Sequence, residues 1–233
     1  MSAELPPELF ENPAWHALTT RHAHLGERRG NAARYRADVA PFAGFAARGS
    51  PALGELRTLL APGDWVWVFG TPPAAPELHA HELRALETLP CLQMWLPAKV
   101  PAPPTVDTIE RLEDATEMVA LTDIAFPGFF RARTCEMGAY YGIRSQGKLI
   151  AMAGERLLLP GFSELSAICV RPEHRRRGHA AHLIGHLVRA HRTASIVPFL
   201  HVSASNQGAI ATYHRLGFET AREVPLYKLA RAP

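Results

Sequence analysis

Apolar and polar positions follow a legible rhythm through the second half of the chain. The stretch TVDTIERL, residues 105–112, has strand character, and EDATEMVALTDIAF spaces its apolar side chains three and four apart, as a helix does. A hairpin is predicted next, from GAYYGIRS through a turn at Gln146 and Gly147 into KLIAMAGERLLL. After the turn-like PGF, SELSAICV predicts a strand, GHAAHLIGHLVRAH a helix, PFLHVS a strand and NQGAIATYHRL a helix. FETA and VPLYKLA predict two closing strands, so the order is β-α-β-β-β-α-β-α-β-β, with no internal repeat.

Upstream, Ser50 reads as an N-cap with Pro51 at the first helical position, opening a helix through Leu60. The strand-like WVWVFG and CLQMWL flank a proline-rich loop and the helical pattern PELHAHELRALETL. Four of the residues 97–104 are proline, and a helix cannot continue through them. A domain boundary is expected there, separating a small α/β unit over residues 1–100 from a second domain over 101–233. The expected fold class is mixed α/β (α+β).

With 233 residues and 47% hydrophobic content, the chain can bury a sizeable core. Its 25 Lys and Arg face 22 Asp and Glu, a net charge of +3, which gives no bulk field for coating a polyanion. No nucleic-acid partner is expected. Cys91, Cys135 and Cys169 are scattered without CxxC spacing, so neither a disulfide framework nor a zinc ribbon is expected, and a reducing cytoplasm fits. The start, MSAELPPELFENPAW, lacks the basic-then-apolar order of a signal peptide, and no apolar run approaches membrane-spanning length. A cytoplasmic protein without a membrane partner is the expectation, and the bias to arginine, alanine and proline suggests a GC-rich bacterial genome. His179, His182 and His186 share a helical face, yet the glutamate of HExxH is missing and Leu183, Ile184, Leu187 and Val188 already supply the core stripe. His22 with His24 and His79 with His81 are no better supported, and no metal is expected.

Positive charge is concentrated locally, in CVRPEHRRRGHAAHLIGHLVRA. Val170 is predicted to end a strand and Gly178 to open a helix, with Arg175, Arg176 and Arg177 in the loop between. Such a loop points successive backbone N–H groups at one spot, where the helix dipole adds about half a positive charge. Gly178 permits close backbone approach, Ala180 keeps the first turn small, and arginine adds charge-assisted bonds. A helix start carrying solvated arginines is the competing reading, but positive charge there opposes the dipole, which favours an anion. Neither GxxxxGK[ST] nor GxGxxG follows a strand, so ATP and dinucleotide sites lose their usual support and a pyrophosphate is the expected ligand.

The pattern V-x-P-x-x-R-x-x-G-x-A over residues 170–180 resembles the acyl-coenzyme-A pyrophosphate loop of the GNAT superfamily of N-acetyltransferases. A second motif stands at the expected distance, N-x-x-A-x-x-x-Y-x-x-x-G-F, with Asn206, Ala209, Tyr213, Gly217 and Phe218. The resemblance covers Thr105 to about Ala230, and it implies a twisted, mostly antiparallel sheet flanked by helices. It also implies acetyl-CoA as the acyl donor, held by Ile168, Cys169, Val170, Arg175, Arg176, Arg177, Gly178, His179, Ala180, Asn206 and Ala209. The whole chain is similar in layout to glycine N-acyltransferases, through NPAWHALTTRHAH and YRADVAPFA in the first half and FPGFFRART and FSELSAICV in the second.

The resemblance makes Glu164 the base, because histone-type relatives hold a glutamate on the strand before the loop. Strand alternation puts Glu164, Ser166 and Ile168 on one face, so a half-buried carboxylate with a raised pKa is expected, against a solvated strand-edge glutamate or one held by the hairpin. Tyr213, seven residues after Asn206, shares a helical face with Ala209 and is the expected acid for the departing thiolate; without the motif it would read as packing. Main-chain donors near residues 168–170 are implied for the carbonyl oxygen. Nothing marks Cys169 as activated, which favours direct transfer in a ternary complex over a covalent acyl-enzyme. In this fold the loop AFPGFFRARTCEMGAYY borders the acceptor, so Phe129 and Phe130 are expected as an apolar wall and Arg131 or Arg133 as the partner of an acceptor carboxylate; buried phenylalanines and solvated arginines fit equally. The expected function is acyl transfer from CoA to an amine of a small molecule, amino acid or peptide, by a monomer or homodimer. The alternative is a non-catalytic acyl-CoA-binding sensor.

Overall fold

The structure, a computed structural model, describes residues 10–47, 49–106 and 108–233. The first half holds α1 (Pro13–Leu18), β1 (Gly26–Arg29), β2 (Ala32–Tyr35), β3 (Phe42–Phe45), α2 (Ser50–Leu59), β4 (Trp65–Phe69), α3 (Ala75–His79) and β5 (Leu83–Trp95). The second half holds β6 (Ile109–Arg111), α4 (Ala115–Thr122), β7 (Tyr140–Ser145), β8 (Lys148–Leu159), β9 (Phe162–Val170), α5 (His179–Thr193), β10 (Val197–Ser203), α6 (Gln207–Arg215) and β11 (Glu219–Arg231).

The strands join into one eleven-stranded sheet in the order β1-β2-β3-β4-β11-β5-β10-β9-β8-β7-β6. Only β3 with β4 and β9 with β10 run parallel, so the sheet is mostly antiparallel, as expected. The last strand lies between β4 and β5, and β10 pairs the other side of β5, which knits both halves of the sequence into this sheet. Residues 97–104 lie against α5: a side chain at Gly185 would strike the Pro103 and Pro104 carbonyls, and Arg192 donates to the Val100 carbonyl.

Local chemistry explains the elements around the site. Gln146 (φ 51°) and Gly147 (φ 76°) take the left-handed conformations of a two-residue hairpin turn, whose twist matches β7 and β8. Asp114 caps α4 by accepting from the Thr116 N–H at 2.8 Å. Leu183, Ile184, Leu187 and Val188 are all buried, seating α5 on β8, β9 and β10; full burial of each contributes about 1.5–3 kcal/mol.

Three expectations change. The helix expected from Pro76 to Leu89 ends at His79, and Leu83 to Leu89 instead pair along β11. Most of that segment is exposed, so its apolar spacing was not set by a core, and the backbone partner decides its conformation. The two closing strands are one, with a register shift between Thr220 and Arg222. The strand expected over residues 105–112 narrows to β6, and Asp107 within it lies outside the described residues.

Candidate active site

Strands β9 and β10 pair only over Val197↔Phe162, Pro198↔Ser163 and Phe199↔Glu164. Beyond Glu164 they diverge. The cause is local: the β8–β9 register jumps from Met152↔Cys169 to Gly154↔Ser166, so Ala167 and Ile168 together oppose one residue, with Ala167 at φ 52°. Such a bulge bends its strand and increases its twist. Into the resulting gap opens a cavity of about 360 Å³, bordered by Ser166, Ala167 and Ile168 on one side and His201, Val202 and Ser203 on the other. The bulge also takes Ile168 out of the alternation expected to place it on one face with Glu164 and Ser166.

Glu164 is fully buried and does not line the cavity. Its Oε2 accepts from Arg156 Nε at 2.9 Å, and its Oε1 accepts from Arg156 Nη2 at 2.5 Å and from His201 Nδ1 at 2.7 Å. Burial alone would raise its pKa; the Arg156 charge and the His201 bond outweigh burial and hold it at about 2. The raised pKa expected from the sequence is therefore corrected, because two strand residues the sequence reading did not single out are its partners. His201 is held on both sides, since its Nε2 lies 2.9 Å from Gln93 Nε2, whose Oε1 in turn accepts from Arg222 Nε at 3.0 Å. That pattern makes His201 the neutral tautomer donating from Nδ1, and burial keeps its pKa below the usual value despite Glu164.

Arg156 and His201 do line the cavity, together with Tyr140 and Tyr213. Tyr213 projects from α6, which Asn206 caps by accepting from the Ala209 N–H at 3.1 Å, as the motif implied. Burial pushes the Tyr213 hydroxyl up to about 12. The Tyr140 hydroxyl is buried without a hydrogen-bond partner. Phe129 and Phe130 line the cavity as expected, joined by Phe126, while Arg131 and Arg133 do not. Arg131 donates to the Ala37 carbonyl and stacks over Trp65, and Arg133 pairs Asp38 at 3.3 Å and Glu136 at 2.7 Å. These arginines fasten the loop to the first half of the chain. Cys169 is buried with its thiol pushed up to about 12 by burial, in keeping with an unreactive group.

Past Val170, the chain makes a single turn over Pro172–His174 and enters α5 through Arg176 (φ 62°) and Gly178 (φ 83°), which caps the helix. The first helical hydrogen bond runs from the His182 N–H to the Gly178 carbonyl at 3.1 Å, so the N–H groups of His179, Ala180 and Ala181 are unspent within the helix. Arg175, Arg176 and Arg177 are exposed around them; Arg175 Nε also bonds the Val170 carbonyl at 3.1 Å. At Gly178 an added Cβ would meet only the His182 ring, so the left-handed backbone, not space, is what calls for glycine. The charge, dipole and open donors suit a pyrophosphate. His179 and His182 lie beside this loop, and no group of three or more metal-ligating side chains exists among the described residues. No helix among them is long and apolar enough to cross a membrane.

A sheet splayed at one parallel pair, with an anion-ready helix start at the end of the splayed strand, defines the GNAT acetyltransferase fold. The comparisons with known proteins agree. The family described as FR47-like protein matches residues 140–225. A putative acetyltransferase from the GNAT family of Novosphingobium aromaticivorans is 34% identical with a TM-score of 0.84, over 96% of this chain and 99% of its own. A GCN5-related N-acetyltransferase from Kribbella flavida shares the fold at 18% identity and a TM-score of 0.63, over 94% of this chain and 96% of its own. An acetyltransferase from the GNAT family of Colwellia psychrerythraea does so at 14% and 0.52, over 98% of both chains. Among curated proteins none matches. The chain belongs to the GNAT family.

Proposed function

We propose that the protein is an acetyl-CoA-dependent N-acyltransferase that transfers the acyl group directly to an amine within a ternary complex. The observation that carries this is that β9, which borders the cavity opened by the β9–β10 splay beside Tyr213, leads directly in the chain to the start of α5 with its open N–H groups. Acetyl-CoA would supply an acyl group activated as a thioester. Its pyrophosphate fits the N–H groups of His179, Ala180 and Ala181, with Arg175, Arg176 and Arg177 around them, and Asn206 and Ala209 border the path of its arm. Main-chain groups of residues 168–170, freed from β10, are the candidate donors to the thioester carbonyl.

The amine nitrogen bonds to the acyl carbon, the carbon–sulfur bond breaks, and the proton the amine gives up restores the tyrosine hydroxyl that protonates the departing thiolate. Tyr213 is the proposed donor to the departing sulfur. Burial, which pushes its pKa up to about 12, keeps it protonated and so able to donate. Glu164 does not line the cavity and is held by Arg156 and His201, so we assign it the positioning of those two side chains in place of the base role expected from the sequence. The amine then enters as its neutral form, a form the apolar cavity favours by desolvating the ammonium. The first hundred residues, proposed as a separate unit, contribute Leu89 and Cys91 to the lining and anchor the acceptor loop. We likewise carry forward the two-part layout of glycine N-acyltransferases, an intracellular site of action and a monomeric or dimeric state as parts of this reading.

Thiol release from acetyl-CoA with a panel of amines tests the proposal. Turnover should rise with pH as the neutral amine fraction grows, and Tyr213→Phe should lower kcat by about 10²-fold or more. Tight acetyl-CoA binding without turnover of any amine would leave the sensor reading instead.

A further inference from the structure

The cavity's own inventory of charge narrows its acceptor, on the footing that it is an acyltransferase site. Arg156 is the one lining side chain that carries a full charge, and both Nε and Nη2 are spent on Glu164. His201 is neutral and bonded at both nitrogens. The Glu164–Arg156–His201 cluster therefore has no net charge to offer. Arg131 and Arg133, from the loop before β7, are committed to Ala37, Asp38 and Glu136 outside the lining, and Arg222 Nε, behind His201, is bonded to Gln93. A carboxylate entering here would lose its hydration and meet only a guanidinium whose charge Glu164 already balances, which is costly. An ammonium would meet no free carboxylate.

What the cavity does offer is an aromatic bed and one orphaned donor. Phe126, Phe129 and Phe130 come from the loop before β7; Phe129 is stacked on Trp67 at 5.7 Å and Phe130 sits edge-on to Tyr140 at 5.2 Å, so these rings are fixed before any ligand arrives. Beside them the Tyr140 hydroxyl is buried with no partner, in a residue 1% exposed, and burial raises its pKa so that it remains a donor. A buried hydroxyl left unpaired is unfavourable, and a ligand atom that accepts its proton removes that penalty.

We propose that the acceptor is a small primary amine on an uncharged body, with an aryl or branched alkyl group seated against Phe126, Phe129 and Phe130 and a neutral hydrogen-bond acceptor, of amide or hydroxyl type, on Tyr140. At about 360 Å³ the cavity is of small-molecule size. We give the apolar bed to the acceptor because it stands on the loop before β7, a different element from the helix of Tyr213 and from β9, which leads to the start of α5.

The test uses four amines, phenylalanine amide, phenylalanine, glycine amide and 2-phenylethylamine, with the whole protein. Each is ranked by thiol release from acetyl-CoA and, without turnover, by calorimetric binding to protein saturated with CoA. Phenylalanine amide should exceed both phenylalanine and glycine amide by about 10- to 200-fold in kcat/KM, the range a buried apolar group commands. Tyr140→Phe, which keeps the ring packed, should shrink the advantage of the amide over 2-phenylethylamine by about tenfold, the worth of one buried hydrogen bond. A preference for phenylalanine over its amide, an unchanged ratio in Tyr140→Phe, or selectivity that appears only when the acyl chain is lengthened would overturn the proposal. The calorimetric ranking decides acceptor chemistry by itself, whereas thiol release with none of the amines, despite that ranking, would count against acyl transfer and not against the acceptor class.

Discussion

Glu164→Gln removes one charge from a cluster whose carboxylate is shut off from water. The carboxylate is 0% exposed and makes two contacts to Arg156 and one to His201, so the amide would leave the guanidinium buried without its counter-charge. Breaking such a pair from one side costs about 3–5 kcal/mol. A second route gives the same size: holding a carboxyl at about 2 instead of 4.5 corresponds to roughly 3 kcal/mol. Because the folded-state value is depressed, this contribution is fully present above pH 4.5 and is lost as pH falls from 4.5 towards 2. Urea unfolding at pH 7 should show Glu164→Gln destabilised by about 3 kcal/mol, with a melting temperature about 10 °C lower for a chain of this size. Removing both charges, as Glu164→Leu with Arg156→Met, should recover most of the loss, since an apolar replacement of a buried pair is often neutral. A single variant within about 1 kcal/mol of wild type, or a double variant no better than the single, would refute the cluster's described energetics.

Other expectations follow from neighbouring features. His22 is buried, bonded through Nδ1 to the Tyr35 hydroxyl at 2.8 Å, and burial lowers its pKa from 6.5 to about 4. Stability should therefore be undiminished above pH 6.5 and fall by roughly 3 kcal/mol as pH drops towards 4, and urea midpoints for His22→Gln should flatten across that window. Cys169→Ala should retain turnover, and intact mass under acetyl-CoA should show no covalent acyl adduct on the wild type; an adduct lost in the variant would contradict direct transfer. Gly154→Ala should destabilise by about 1–3 kcal/mol in urea unfolding and weaken amine binding, because the new methyl would overlap the Tyr140 ring.

The sequence was most legible where chemistry and periodicity coincide. The hairpin at Gln146 and Gly147, the buried stripe of α5 and the glycine that opens that helix at Gly178 each follow from residue types with few alternatives. The long strand β5 was not legible, because its exposed half owes its conformation to β11, a partner over a hundred residues away in the chain. The bulge at Ala167 was not legible either, since alanine carries no turn signal, and with it went the expected place of Ile168 on the face of Glu164 and Ser166. Arg156 and His201 did leave a trace, as polar residues inside the largely apolar strands KLIAMAGERLLL and PFLHVS. Their pairing with Glu164 depends on the tertiary fold and so turns an expected base into a buried counter-ion.

The most direct test of acyl-CoA chemistry is a calorimetric titration of acetyl-CoA into wild type and Gly178→Glu. A glutamate would strain the backbone at φ 83° and set a negative charge against the start of α5, where the phosphates are proposed to lie. Stoichiometric binding to the wild type that weakens by at least about 100-fold in the variant, with both proteins folded, is the result expected. Equal affinity in the two, or no binding to the wild type, would contradict the assignment of the anion loop and the function built on it.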